Sequence, residues 1–514
     1  MGCEPEKIKN SLLSELDAFY AQRMFTNGLS TIQADELHSY EEGISVLGQA
    51  LLLDYGDPKQ LERAMETARA LSRLTGINGA GHRHIRSSYF SGTVMAEEEP
   101  WGWTRPSSYL LTQPALLLVE YNGNPAIKKI MLELADGLLA HRKKDQGGRY
   151  RLSSTIRFQN DQDQAAPIDR IWPILWAAWR WTGDPKYLQP LLDEGPRSLE
   201  MITANALDQM NVRQTWGTTF AAAKAGAGGD AAQHLAWQVT GDKRFLESLY
   251  AAEIEASALR EYINTEGSLW IDRVFVPYFV PYSELQRARL GGIALIRNSY
   301  FPGHAVSWTF QPPATEASTA ILIPNATRQS LKIIAYNLSE APVKANMTAW
   351  DLEPGQWEVT QGVDTDGDDL ADGATSTRTI EWERTGIVEL TFPPRTTTIL
   401  NLKLVANGTA YWSRPDLGIG REDVVVKGPK VTVTIHNLGS VDAPPTTVEL
   451  LDKNGKVLSS ATVPALKAPT DLLPKTITVT LTIPTTGQIA GGSVVIDPGA
   501  TIKEITRVNN RVAL

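Results

Sequence analysis

Residues 51–71 read LLLDYGDPKQLERAMETARAL. An apolar run stops at Gly-Asp-Pro, and a segment with apolar residues at helical spacing follows. Each turn residue has a distinct physical task. Gly56 supplies the left-handed C-cap of the first helix, Asp57 accepts from the free N–H groups of the second, and Pro58 takes the first helical position, where no N–H is needed. The same arrangement recurs in LLLVEYNGNPAIKKIMLELADGLL (116–139), LWAAWRWTGDPKYLQPLLDEG (175–195) and HLAWQVTGDKRFLESLYAAEI (234–254). The turn glycines Gly56, Gly123, Gly183 and Gly241 are spaced 67, 60 and 58 residues apart. A period near sixty predicts stacked helical hairpins over the first 300 residues.

On these repeats the chain resembles the (α/α)-toroid polysaccharide lyases and glycoside hydrolases, in which an inner ring of helices is backed by an outer one. The resemblance implies about five hairpins, as a complete ring or one open on a side, and a cleft lined by the loops at one end. The expected fold is multidomain α + β. Residues 1–305 form the toroid, residues 306–407 an antiparallel β-sandwich and residues 408–514 a second sandwich. The strand regions show period two: TAILIPNATRQSLKIIAYN from Thr319 and TGIVELTFPPRTTTILNLKLV from Thr385 both alternate apolar and polar residues between turn signals. In the last hundred residues, IHNLGSVDAP (435–444) and EITRVNN (504–510) resemble the bacterial cell-adhesion-related domain CARDB, an immunoglobulin-like module of secreted proteins. Its alternating core and the proline-containing boundary near Trp412–Pro415 predict a module that folds independently.

Composition narrows the function classes. The 514 residues carry 58 acidic and 49 basic side chains, a formal charge of −9, which argues against nucleic acid as a partner. A single cysteine, Cys3, excludes a disulfide framework and a cysteine zinc site. No apolar run is long enough to cross a membrane, and no signal-peptide core is present. Met-Gly-Cys reads equally as the remnant of a lipoprotein cleavage site and as an accidental terminal cysteine. The expected location is secreted, periplasmic or cell-surface. Fourteen tryptophans suit either a core or the flat platforms of a sugar cleft.

The chemistry concentrates in GAGHRHIRSSYFSGTVMAEEEPWGWTR (79–105), read as a long loop between hairpins. Its titratable and aromatic density marks it as functional. Two further loops belong to the same cleft, RFQNDQDQAAPIDR (157–170) and the stretch around Trp216, and the junction RNSYFPGHAVSW (297–308) carries His304.

The leading reading is a lyase that cleaves an acidic, uronate-containing polysaccharide by β-elimination, with no organic cofactor. That reaction needs a group to neutralise the uronate carboxylate, a base for the C5 proton and an acid for the departing oxygen. His82, His84, Arg86, Tyr89, Asn160 and His304 are its catalytic candidates, and Arg83, Trp101, Trp103, Arg105, Arg170 and Trp216 its substrate-binding ones. Toroid lyases often carry an Asn-His pair, whereas here Gly81 precedes His82.

Two other readings share the scaffold. A glycoside hydrolase would pair one of Glu97, Glu98 or Glu99 with Asp161 or Asp163 across the cleft. A glycan-binding surface protein would use the aromatic residues without catalysis. His82-x-His84 also has the spacing of a zinc chelate completed by a carboxylate such as Glu97. Asp364, Asp366, Asp368 and Asp372, set around Gly367, match the alternating oxygen ligands of a structural Ca²⁺ loop, without the glutamate that closes an EF-hand.

Overall fold

In the computed structural model, residues 5–22, 25–147, 150–164, 171–194, 217, 221, 224–225, 229–251, 282–293, 295–296, 299–300, 303–483 and 489–514 are described. They form two compact units. One holds Met1–Gly183, Asn298–Tyr300 and Thr409–Leu514, the other Asp184–Arg297 and Phe301–Gly408. Each unit therefore combines helices with antiparallel sheet.

The hairpins form as the repeats predict. Helix α1 (Ser45–Leu53) is followed by α2 (Pro58–Leu74), and α3 (Gln113–Asn122) by α4 (Pro125–Ala140). Asp57 accepts from the N–H of Gln60, and Asn124 from those of Ala126 and Ile127. Gly56, Gly123, Gly183 and Gly241 all have φ between +70° and +85°, the left-handed region in which a β-carbon is strained. The second helix of each pair is amphipathic. In α4, Ile127, Met131, Leu134, Ala135 and Leu138 are buried at intervals of three, four and one residue. Burying a Leu, Ile or Met side chain contributes roughly 1.5–3 kcal/mol, so this stripe fixes which face of α4 turns inward. The described helices do not by themselves show a closed ring, and residues 195–216 and 252–281 lie outside the described set.

In the second unit, a three-stranded sheet (Val306–Phe310, Val343–Ala349, Ile387–Phe392) and a five-stranded one share one core. The five-stranded order is Thr319–Ala326, Ser330–Asn337, Thr397–Asn407, Gly355–Asp364, Asp372–Trp382. Alternation is strict along Ser330–Asn337, where every second residue is buried. Trp357 and Trp382 meet edge to face, with centroids 5.6 Å apart, at the centre of this core.

The C-terminal segment also builds two antiparallel sheets around one core, with Val433, Ile435, Val448, Leu450 and Val494 inside. It is not an independent appendage. Asn509 Nδ2 donates to Gly56 O at 3.1 Å, Asn122 Nδ2 to Leu438 O at 2.8 Å, Asn124 Nδ2 to Pro469 O at 3.0 Å and Arg69 to Leu472 O at 2.8 Å. Tyr121 donates to the buried Asp416. His436 lies between Glu62 (2.5 Å) and Asp423 (3.1 Å). The segment thus caps the turn ends of the first two hairpins, and Leu438, His436 and Asn509 belong to the two motifs that carried the CARDB resemblance. Alternation within the module could not reveal this, because polar interface residues look like ordinary loop residues.

Candidate functional site

The stretch after α2 is shorter of loop than expected. Strand β1 (Thr75–Ile77) turns back through Asn78 to Gly81 into β2 (Arg83–Ile85), with Gly76 opposite His84. Asn78 holds the turn, its side-chain oxygen accepting from the N–H groups of Ala80 and His82. Side chains two apart on an extended chain share a face, so His82 and His84 project together while Arg83 points away. Arg83 is occupied elsewhere, in an ion pair with Glu133 at 2.6 Å and a hydrogen bond to Thr75 Oγ1 at 2.9 Å.

Helix α4 lies against β2 because residue 137 is glycine. A β-carbon there would stand 2.3 Å from the Arg83 carbonyl oxygen and 3.1 Å from the His84 ring. This close approach brings His141, the residue that ends α4, to His84: their Nε2 atoms are 3.3 Å apart. The fourth member comes from the turn between strands β3 (Thr155–Ile156) and β4 (Asp163–Gln164). Asp161 sits there at φ +60°, a conformation that aspartate tolerates better than most residues. Its Oδ1 is 3.3 Å from His84 Nε2 and 3.4 Å from His141 Nε2, and its Oδ2 is 2.9 Å from His82 Nδ1. Asn78 Nδ2 donates to Oδ1 at 2.5 Å. One ligand atom from each of His82, His84, His141 and Asp161 lies within 4.8 Å of all the others.

Around this cluster, Asp163 Oδ2 is 3.1 Å from His141 Nδ1, and Lys143 pairs with the other carboxylate oxygen. A cleft of about 590 Å³ opens beside them, lined by Trp103, His141, Lys143, Asp161, Gln162 and Asp163 among others. Burial, with the neighbouring His141, moves the His84 pKa down to about 4 against the pull of Asp161. Asp161 and Asp163 titrate below the usual carboxylate range despite partial burial. Asn78, His141 and His82 stabilise the first, and Lys143 and His141 the second.

Of the sequence candidates, His82 and His84 thus come together. Arg86 pairs with Glu97, which removes Glu97 as partner of the histidines and puts Asp161 in that place. Tyr89 stacks on Trp101 with centroids 4.5 Å apart, and the Arg105 guanidinium lies over the Trp101 ring, 5.8 Å from its centroid. The Trp103 indole donates to Glu99, which also pairs with Arg157 at 2.8 Å. Asn160 is exposed and its side-chain oxygen accepts from the N–H of Gln162. His304 belongs to the other compact unit, packed near Trp350 with centroids 5.6 Å apart, and its pKa falls to about 4 through burial. Arg170 and Trp216 lie outside the described residues. His141 was missed by sequence reasoning, being 57 residues from His84 and at the end of a helix.

In the second unit, Asp364, Asp366 and Asp372 each bring a carboxylate oxygen within 4.8 Å of the other two. Asp368, whose carboxylate accepts from the N–H of Leu370 at 2.8 Å, is not a member of this group.

Comparison with known proteins identifies one part of the chain. The CARDB family matches residues 414–513. This segment is a CARDB domain. No curated protein matches the chain. Among solved structures, a β-porphyranase of glycoside hydrolase family 86 from the human gut bacterium Bacteroides plebeius aligns at 10% identity. It covers 33% of this chain and 34% of its own, with a TM-score of 0.12. A β-glucuronidase from Ruminococcus gnavus aligns at 11% identity over 34% and 36% (TM-score 0.13), and a β-1,2-glucanase from Parabacteroides distasonis at 8% over 39% and 35% (TM-score 0.11). The chain spans about a third of the length of these structures, and likeness at this level carries no argument about activity. Beyond the CARDB domain, no helix among the described residues is long and apolar enough to cross a membrane.

Proposed function

We propose that this chain is a carbohydrate-active enzyme, a polysaccharide lyase that cleaves a uronate-containing polymer by β-elimination in the cleft beside Asp161. The observation that carries the reading is that His141, Lys143 and Asp161 line one polar cleft flanked by Trp103, with His82 and His84 in contact with Asp161 behind it. Elimination is limited by the acidity of the proton beside the uronate carboxylate, and a preorganised positive environment for that carboxylate lowers the barrier as the enolate-like charge develops. Lys143, which lines the cleft, takes this role, with the His141 ring beside it as a hydrogen-bonding partner. Trp103 offers a flat face to a sugar ring. Tyr89 remains the candidate acid or base, with Trp101 holding its ring.

The hydrolase reading pairs one of Glu97, Glu98 or Glu99 with Asp161 or Asp163. It needs one carboxyl to stay protonated as general acid. Here Asp163 is held by Lys143 and His141, Glu97 by Arg86 and Glu99 by Arg157, which favours elimination. A panel of uronate polysaccharides, read at the ultraviolet absorbance of the unsaturated product alongside a reducing-sugar assay, separates the two. Absorbance and reducing ends rising together support elimination; reducing ends alone support hydrolysis.

The remaining proposals concern setting and scaffold. The hairpins belong to an (α/α) toroid, the sheets of each unit pack as sandwiches, and the CARDB domain goes with an extracytoplasmic location. Asp364, Asp366 and Asp372 hold a structural Ca²⁺ in the turn between Gly355–Asp364 and Asp372–Trp382.

A further inference from the structure

We infer that His82, His84, His141 and Asp161 form a binding site for one divalent transition-metal ion, zinc first among them. The inference deepens the proposed function, since such an ion would supply the positive charge at the carboxylate-binding end of the cleft, but it rests on the geometry of the donors alone.

Three donor atoms form a nearly equilateral triangle. His84 Nε2, His141 Nε2 and Asp161 Oδ1 are separated by 3.3, 3.3 and 3.4 Å. In a tetrahedral zinc site with bonds of roughly 2.0–2.1 Å, adjacent ligand atoms are about 3.3–3.4 Å apart. The triangle therefore has the dimensions of one face of such a site, and His82 supplies the fourth corner from within 4.8 Å.

Proton bookkeeping leaves room for the ion. His141 Nδ1 faces Asp163 Oδ2 at 3.1 Å, a contact satisfied when Nδ1 carries the hydrogen. In the neutral ring, Nε2 is then a bare lone pair. It faces Asp161 Oδ1, which is also an acceptor, at 3.4 Å. Two acceptors this close need a donor or a cation between them, and His84 Nε2, 3.3 Å from both, fills that place either with its own hydrogen or as a third ligand of an ion. The Asp163–His141 contact is moreover the carboxylate–histidine arrangement by which outer partners orient metal ligands, and Asn78 orients Asp161 in the same manner.

Ligand type selects the ion. Three imidazoles and one carboxylate suit zinc or a neighbouring transition metal, whereas Ca²⁺ and Mg²⁺ prefer oxygen. With the imidazoles neutral, one carboxylate leaves the bound ion with a net positive charge. The donors sit on a strand face, a helix end and a turn, so the site is set by the fold. His82 and Asp161 retain 32% and 21% of their side-chain exposure, which leaves a route for the ion from solvent.

The test uses the full chain, stripped with a chelator and titrated with zinc alone. Metal analysis after dialysis should give one equivalent per chain, and cobalt should reconstitute the protein with the visible absorption of a four- or five-coordinate nitrogen–oxygen site. Asp163→Asn should weaken zinc binding about 10–100-fold, as loss of an outer partner does. His82→Ala, at the more exposed ligand, should weaken it at least as much while the circular dichroism is unchanged. A stripped protein that takes up no zinc and shows no cobalt band overturns the inference and leaves a protonated histidine network instead. Full stoichiometry retained in both variants overturns it too, by placing the metal elsewhere. Neither readout involves substrate, so a failed lyase assay would not bear on them.

Discussion

Replacing His436 by glutamine should loosen the CARDB domain from the helices and remove a distinctive pH dependence. His436 is buried between Glu62 and Asp423. Burial alone would lower its pKa, but the two carboxylates, Asp423 first, raise it from 6.5 to about 9. At roughly 1.4 kcal/mol per pH unit, that rise corresponds to about 3 kcal/mol of stabilisation by the protonated ring. The sign follows from linkage. The folded state holds the proton more tightly, so the contribution is complete below pH 6.5 and is lost as pH rises towards 9. Glu504 adds a parallel trend, because burial and the nearby Asp416 raise its pKa to about 8, but it does so in both proteins and cancels in their difference. Thermal unfolding of the full chain should therefore show the wild type above His436→Gln by about 5–10 °C at pH 6, for a unit of this size. The gap should close by pH 9.5. Parallel Tm curves across this range would refute the reasoning.

Other consequences are also measurable. Gly123→Ala puts a β-carbon 2.5 Å from Trp412 Cβ at a backbone φ of +70°, and should cost about 1–3 kcal/mol of stability in denaturant melts. Gly137→Ala should push α4 off β2 and lower uronate turnover more than stability alone explains, because His141 moves with the helix; unchanged kcat/KM would contradict the packing argument. Calcium at millimolar concentration should raise the Tm of the unit containing Asp364, and Asp372→Asn should abolish that shift without reducing turnover.

The hairpin architecture was legible because its punctuation is local: Gly-Asp-Pro carries the C-cap, the N-cap and the helix start in three residues. The site was half legible. His82 and His84 advertise themselves two residues apart, but a three-residue strand is too short for periodicity to register, so the stretch read as loop. His141 gave only the weak signal of a histidine closing an amphipathic segment before Arg142, Lys143 and Lys144. Its partnership with His84 depends on Gly137, which in sequence is merely a glycine inside a helix. Asp161 was visible as a carboxylate, but its role depends on a left-handed turn that no neighbouring residue announces. The docking of the CARDB domain was invisible for a related reason, since its contacts join residues 295 or more positions apart.

The most direct test compares wild type and His141→Ala on the same uronate polymer, following unsaturated product near 235 nm, with the melting curve as a control for folding. Elimination in the Asp161 cleft predicts a steady rise for the wild type and a rate lower by about 10²-fold or more for the variant, the usual loss when a preorganised charge-stabilising group is removed. A folded His141→Ala protein that eliminates at the wild-type rate would contradict it.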